Sequence, residues 1–397
     1  MTHRLLLALL SLPLAHTYAS GTQASSFRSY RAMGMGGAFV ATVDNREAVH
    51  VNPAGLALIS RPGMHPMLDA GRYSREPWEL RWNFSGLDLP ISLAPELYRF
   101  QDKYRPLLKN ANLDTLINHT EFFDDLWKLD RSPLPINWHG DGQFAMQNFG
   151  FGGWGEITPE IYIDHGAVIP QVGIGLKSVQ VIDVAVAQSF GDNKEWNLGI
   201  GYRLMALSER TKEIDVLDVE HVQDTAMHMA SSVMSEITNP SEWAHGLNLG
   251  MIWFQTPEIR WGVAAQNVAM KRKNGWVTPD IASGVNWSPW LVQRNDRWSR
   301  CVNMSVQWSD WLGAHYPYTY MPLAHLDMGV EWTQTLWPKI LQGRLSSGLH
   351  QGYPTFGIGG DLLRILHMDA VTYAEETGIY LGQLPQRYYT IKFGMGL

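Results

Sequence analysis

The sequence predicts an all-β fold: a transmembrane, antiparallel, up-and-down β-barrel of about 14 strands, with an N-terminal plug and helical inserts. Three observations carry this expectation. Apolar side chains recur at every second position through most of the chain. The apolar face of these runs is rich in Trp, Tyr and Met, while the other face is rich in Gly, Ser and Asn. The chain of 397 residues has 17 Trp and only 17% charged residues, so its surface meets something less polar than water.

The first element reads as an export signal. Arg4 supplies a short positive region, Leu5 to Leu14 is apolar apart from Ser11 and Pro13, and Thr17-Tyr18-Ala19 offers a cleavage site after Ala19. The apolar run is too short for a spanning helix, which needs about 20 residues. Residues 1–19 are therefore expected to be a signal peptide, 20–62 a plug or hatch segment, and 63–397 the barrel. The formal charge of −7 includes Arg4, and a mild acidic balance without basic runs argues against nucleic-acid binding. Cys301 is the single cysteine, which excludes an intramolecular disulfide and any Cys-based metal or redox motif.

Side chains on a strand alternate between faces, so period two marks a half-buried strand. The strongest runs place Trp196, Leu198, Ile200, Tyr202 and Leu204 opposite Asn197, Gly199, Gly201 and Arg203. Leu247 to Trp253, Val302 to Trp308 and Leu326 to Trp332 repeat the pattern. In the last strand Tyr389, Ile391, Phe393, Met395 and Leu397 share one face, and Tyr388, Thr390, Lys392, Gly394 and Gly396 the other. Such an end is what barrel-assembly machinery recognises, although most barrels end in an aromatic residue. Weaker candidates lie at Met64–Arg72, Trp78–Leu87, Gln143–Trp154, Val179–Phe190, Arg260–Val268, Ile281–Trp287, Leu341–Leu349, Thr355–Gly360 and Leu366–Ala374.

A soluble sandwich or propeller would alternate too. Its apolar face is mostly aliphatic, however, and its outer face is charged. Trp at strand ends (Trp196, Trp253, Trp308, Trp332) instead fits the interfacial girdles of a barrel in lipid. Two segments have helical periodicity: 95–129, through Leu97, Phe100, Tyr104, Leu107 and Leu108, and 221–237, through Val222, Met227, Met229 and Val233.

No catalytic or metal constellation is visible. The glycines of Arg31 to Val40 fail the dinucleotide fingerprint because Phe39 stands where the third glycine belongs, and no Walker lysine follows. The histidines form no metal-binding spacing, and no Gly-x-Ser-x-Gly elbow occurs. Neither an enzyme activity nor a cofactor is expected. The glycines are better read as places where a plug approaches the barrel wall closely.

Residues Arg31-Ala-Met-Gly-Met-Gly-Gly-Ala-Phe-Val-Ala41, Asp44 and Asn52-Pro-Ala-Gly-Leu-Ala57 resemble the mature N-terminus of the FadL/PorV group of outer-membrane barrels. That group comprises fatty-acid transporters, accessory proteins of a secretion system, and TraF-like barrels of conjugation operons. Leu247 to Trp253, Arg260 to Asn267 and Gly284 to Trp287 resemble its central hairpin and following strand, and Arg387 to Leu397 resembles its end. The helical segments lean toward the TraF-like branch.

The resemblance implies a hatch inside the barrel, with Gly34, Gly36, Gly37, Asn52, Pro53 and Gly55 as its ligand or hatch residues. Asn52, Pro53 and Gly55 would form a turn in which Pro fixes φ, Gly permits a positive φ and Asn bonds its own backbone. The expected function is passive uptake of a hydrophobic small molecule of the long-chain fatty-acid type. The alternative is a non-transporting envelope component, such as a secretion- or conjugation-associated barrel. Expected partners are outer-membrane lipid, the barrel-assembly machinery, and a hydrophobic small molecule or an envelope protein. Transport predicts an apolar lumen pocket beside Asn52-Pro53 and a lateral opening beside a kinked strand. The alternative predicts a plugged lumen.

Overall fold

The computed structural model describes residues 27–59, 78–90, 137–164, 171–215, 240–273, 275–294, 298–313, 322–337, 340–363, 365–376, 381–382 and 385–396, with Lys103 and Glu121. The signal-peptide segment, the strand expected at 64–72, the helix expected at 221–237 and Leu397 lie outside these residues. So does the helix expected at 95–129, apart from Lys103 and Glu121.

Fourteen strands form the wall. They are β1 (Trp78–Pro90), β2 (Asn137–Met146), β3 (Phe149–Asp164), β4 (Gln171–Phe190), β5 (Trp196–Asp215), β6 (Glu242–Phe254), β7 (Ile259–Arg272), β9 (Asp280–Arg294), β10 (Trp298–Trp308), β11 (Leu326–Trp337), β12 (Leu341–His350), β13 (Tyr353–Leu362), β14 (Leu366–Glu376) and β15 (Pro385–Gly396). A two-residue strand, β8 (Gly275–Trp276), pairs only with β7. Each wall strand pairs antiparallel with its neighbour in sequence, and β1 pairs with β15. The ring therefore has no free edge. Closure matters in lipid, where no water is present to satisfy an unpaired N–H or C=O.

The strand total meets the expectation, but one boundary moved. The run expected as one strand at Gln143–Trp154 is the end of β2 and the start of β3, joined by a two-residue turn. Asn148 makes the turn with φ 66. No glycine or proline marks it, and Asn is among the few non-glycine residues that tolerate this conformation. The expected site for Trp332 also moved: it lies within β11, which continues to Trp337.

The alternation sorts the two faces. On β15, Tyr389, Ile391, Phe393 and Met395 are 44 to 54% exposed, while Tyr388, Thr390 and Lys392 are buried. Ile182, Val184, Val186, Leu198, Ile200, Leu249, Val330 and Ile358 are likewise exposed on their strands. In water this would be a continuous apolar surface far larger than a soluble monomer presents. In a bilayer it is the lipid-facing belt.

The connections distinguish the two ends. At one end they are short: 147–148, 191–195, 255–258, 295–297, 338–340 and 363–365. At the other end they include 91–136, 216–241 and 309–325. Outer-membrane barrels place short turns in the periplasm and longer loops outside. By that rule the start of β1 and the end of β15 face the periplasm.

Residues 27–59 cross the interior. Helix α1 (Tyr30–Gly34) packs on β12, β13 and β14, whereas a 3-10 helix (Pro53–Leu58) packs on β3 to β6, across the ring. Helix α2 (Ala48–Val51) packs against the 3-10 helix and on β3 and β4. Met35, Phe39, Val43, Val49, Leu56, Leu58 and Ile59 form an apolar cluster with Ala145, Ala185, Ile252 and Phe254 from the wall. The central core is thus plug against wall.

Candidate functional site: the plug–wall interface

The plug holds its own shape through caps. Ser29 caps α1, accepting from the backbone N–H of Ala32 at 3.1 Å, and its hydroxyl donates to Glu47 at 2.8 Å. The Gly37 N–H closes the helix by donating to the Ala32 carbonyl. Asn52 has extended backbone, with φ −148, and its side-chain oxygen accepts from the Ala54 N–H at 3.2 Å. Its amide donates to the Val40 carbonyl at 2.9 Å and to the Met251 carbonyl at 3.3 Å. Asn52 therefore ties the plug both to itself and to β6.

The expected Asn-Pro-Ala-Gly turn is a 3-10 helix, with Pro53 at its first position where the missing N–H costs nothing. Gly55 does not adopt positive φ. It is required sterically, because a Cβ there would lie 2.6 Å from the Val43 carbonyl oxygen. Gly36 does need its conformation, with φ 65, and a Cβ would meet the carbonyl oxygens of Leu349 and Met328 at 2.4 Å. Gly34 touches the Ser346 hydroxyl and the Gly357 backbone, and Gly37 stands against Asp327 and His350. All six expected residues lie in the plug, but they fall in two clusters: Gly34, Gly36 and Gly37 against β11 to β13, and Asn52, Pro53 and Gly55 toward β5 and β6.

The wall answers with its own glycines. A Cβ on Gly250 would lie 2.0 Å from the Asn52 side-chain oxygen, and one on Gly199 would lie 2.4 Å from the Pro53 carbonyl carbon. Asn52-Pro53 is thus seated directly on the wall.

Two buried ionic networks, neither anticipated from the sequence, bind plug to wall. In the first, His50 Nδ1 lies 2.6 Å from Asp183 Oδ2, and neither side chain is exposed. Arg203 grips the same carboxylate with Nε and Nη2, at 2.8 and 3.0 Å. Arg203 also donates to the His50 carbonyl, to Gln266 and to Asn267, while Gln266 donates to the Val51 carbonyl. The second network centres on Arg31, whose Nε and Nη2 bind Glu331 at 2.7 and 2.6 Å. Asp44 lies 3.7 Å from Arg31 and 3.3 Å from Arg260. Burial disfavours the Arg31 charge, but Glu331 and Asp44 hold its pKa well above the ordinary value. A bidentate guanidinium–carboxylate pair fixes orientation as well as distance.

Beside the second network lies a cavity of about 190 Å³, lined by Arg31, Asp44, Arg46, Glu79, Arg81 and Arg344 among others. Its wall residues come from the starts of β1, β10 and β12, from β11 and from the end of β13, near the short-turn end. It is charged, and it is not the apolar pocket expected at Asn52-Pro53.

The wall is irregular at several places, in β1, between β9 and β10, between β11 and β12, and twice in succession between β6 and β7 beside the plug. Pairing of β6 with β7 slips between His245 and Leu247 and again between Leu247 and Leu249. Each slip puts one extra residue into β7, and Asn267 and Ala269 there have φ of 58 and 53. These are β-bulges, which bend a strand and interrupt its ladder. Asn267 is also a partner of Arg203.

The sequence carried one signal of the networks. Arg203 and Glu331 stand on the polar faces of strongly alternating strands, where a charge must find a partner or water.

No family model and no curated protein sequence matches the chain. Among solved structures it is similar to the toluene transporter TbuX of Ralstonia pickettii, with a TM-score of 0.46 and 13% identity over 92% of this chain and 97% of that one. It is similar to the toluene transporter TodX of P. putida, with a TM-score of 0.42 and 11% identity over 92% and 96%. A FadL homologue of Pseudomonas aeruginosa gives a TM-score of 0.38 and 12% identity over 92% and 96%. Ring closure, the outward apolar belt and the polar, filled interior define the class of this protein as an outer-membrane β-barrel.

Proposed function

We propose that the protein passively conducts a hydrophobic small molecule across the outer membrane, and that the structure represents its plugged state. The double bulge of β7 beside the plug carries this reading. An apolar solute gains nothing by leaving a barrel into periplasmic water; a weakened wall offers it a route sideways into lipid. Arg203 bonds both Asn267 of the bulged stretch and the His50 carbonyl of the plug, and Gln266 of β7 donates to the Val51 carbonyl, so a shift of one loosens the other. Gly34, Gly36, Gly37, Asn52, Pro53 and Gly55 then serve as the seam on which the hatch seats and from which it lifts. Uptake of labelled long-chain fatty acid into liposomes tests the reading. Expected is uptake above protein-free liposomes, reduced when Ala269 is deleted to remove one bulge. Uptake equal to that of protein-free liposomes would overturn it.

The second reading is a non-transporting envelope barrel, such as a secretion- or conjugation-associated accessory. It is favoured by the charged lining of the cavity and by the fully buried His50–Asp183–Arg203 network. It predicts background uptake by a correctly folded barrel.

A further inference from the structure

The lipid-facing wall of β5, β6 and β7 is apolar except near its long-loop end. There, Tyr202, His245 and Lys271 form a polar row across three adjacent strands. The Tyr202 hydroxyl and His245 Nδ1 are 2.5 Å apart, and both side chains are exposed on the outer face. Lys271 is the cross-strand partner of His245, and its ammonium lies over the Trp276 ring at 5.9 Å. Trp276 and Trp243 are the most outward aromatics of the patch, 71% and 55% exposed. The neighbouring Arg272 is neutralised by Glu242 at 2.8 Å, leaving Lys271 and Lys273 as the patch's net positive charge.

The height of the patch follows from the strand. At the short-turn end, Trp196 stacks on Trp253 at 5.3 Å, and Trp253 pairs with Trp261, forming one aromatic girdle. Trp243 lies ten residues further along β6. At about 3.3 Å per residue and a tilt of about 40°, that separation is about 25 Å across the membrane, the height of the apolar band. Trp243 and Trp276 therefore mark the outer interface, and Lys271, the cross-strand partner of both Trp276 and His245, stands level with it, within reach of the lipid phosphates there.

We propose that this patch is a binding site for the phosphorylated headgroup of an outer-leaflet glycolipid. Charge selects the occupant. Two lysines, a Tyr–His pair able to donate, and flanking indoles complement a phosphate carried on a sugar with acyl chains below. The apolar stripe of Leu247 and Leu249 runs down from the patch along β6 to receive those chains. A protein partner would have to displace lipid from this belt.

Native mass spectrometry of the full-length barrel in detergent tests the proposal. The probes are a diphosphorylated lipid A, the same glycolipid after phosphate removal, and phosphatidylglycerol. Expected is selective retention of the phosphorylated glycolipid, falling about fivefold for each lysine removed in Lys271→Ala and Lys273→Ala, the weight of one cation near an anionic lipid surface. Heat-modifiable migration confirms that the variants fold. Equal retention of the dephosphorylated glycolipid or of phosphatidylglycerol by the unaltered protein overturns the proposal, as does unchanged retention by the folded double variant.

Discussion

His50 of the plug and Asp183 of the wall meet at 2.6 Å with no exposure of either side chain, although 133 positions separate them. The contact is completed by Arg203, so one carboxylate serves a plug imidazole and a wall guanidinium together. Desolvating these groups is costly, and the geometry compensates only while all of them are present.

Removing the centre of that network should therefore be severe. Asp183→Ala leaves Arg203 buried without its carboxylate, and the expected loss is about 3–5 kcal/mol. Unfolding in urea, followed by heat-modifiable migration, measures it. Asp183→Leu combined with Arg203→Met should lose much less. If the double variant is as unstable as the single one, the ionic account fails.

Arg31 and Glu331 tie α1 to β11, next to the strands on which it packs. Arg31→Ala should free the N-terminal segment without opening the barrel. Limited proteolysis should then cut within residues 27–59 while the heat-modifiable form persists. Exchanging the charges, Arg31→Glu with Glu331→Arg, should restore part of the protection.

The close approach at Gly250 makes a steric prediction. Its Cβ would lie 2.0 Å from the Asn52 side-chain oxygen, so Gly250→Ala should unseat the 3-10 helix at a cost of about 1–3 kcal/mol. Gly343→Ala is the control, because nothing lies within 4 Å of its Cβ. Equal melting temperatures for the two variants would refute close packing at this seam.

The lipid-facing belt has its own test. Leu249 lies outward, 40% exposed, between Trp253 and Trp243 on β6. Leu249→Arg near the midplane should destabilise the inserted barrel by about 2–4 kcal/mol. Folding yield into vesicles measures this; an unaltered yield would mean that this face does not meet lipid.

Much of the wall was legible because its signal is local. The alternation at Trp196–Leu204, Leu247–Trp253 and Tyr389–Met395 depends only on successive side chains pointing to opposite faces. The break at Gln147-Asn148 was not legible, since an Asn in left-handed conformation leaves the apolar pattern of Gln143–Trp154 nearly intact. In the plug, the glycines at 34, 36 and 37 and the Asn52-Pro53 pair stood out. The form they take did not: a 3-10 helix instead of a turn, with Gly55 held by the Val43 carbonyl and not by its own φ.

By itself the sequence determined which side chains face outward and which inward, and so a barrel with an apolar exterior and a polar interior. Period two is written into neighbouring residues and needs no knowledge of the rest of the chain. Tertiary structure alone decided what each inward group meets. Arg31 and Glu331 are 300 positions apart, and Arg203 and Glu331 announced only that a charge faced the lumen. Their partners are set by strand tilt, by the bulges of β7 and by the path of the plug through the ring. Those are properties of the closed barrel that no stretch of neighbouring residues contains.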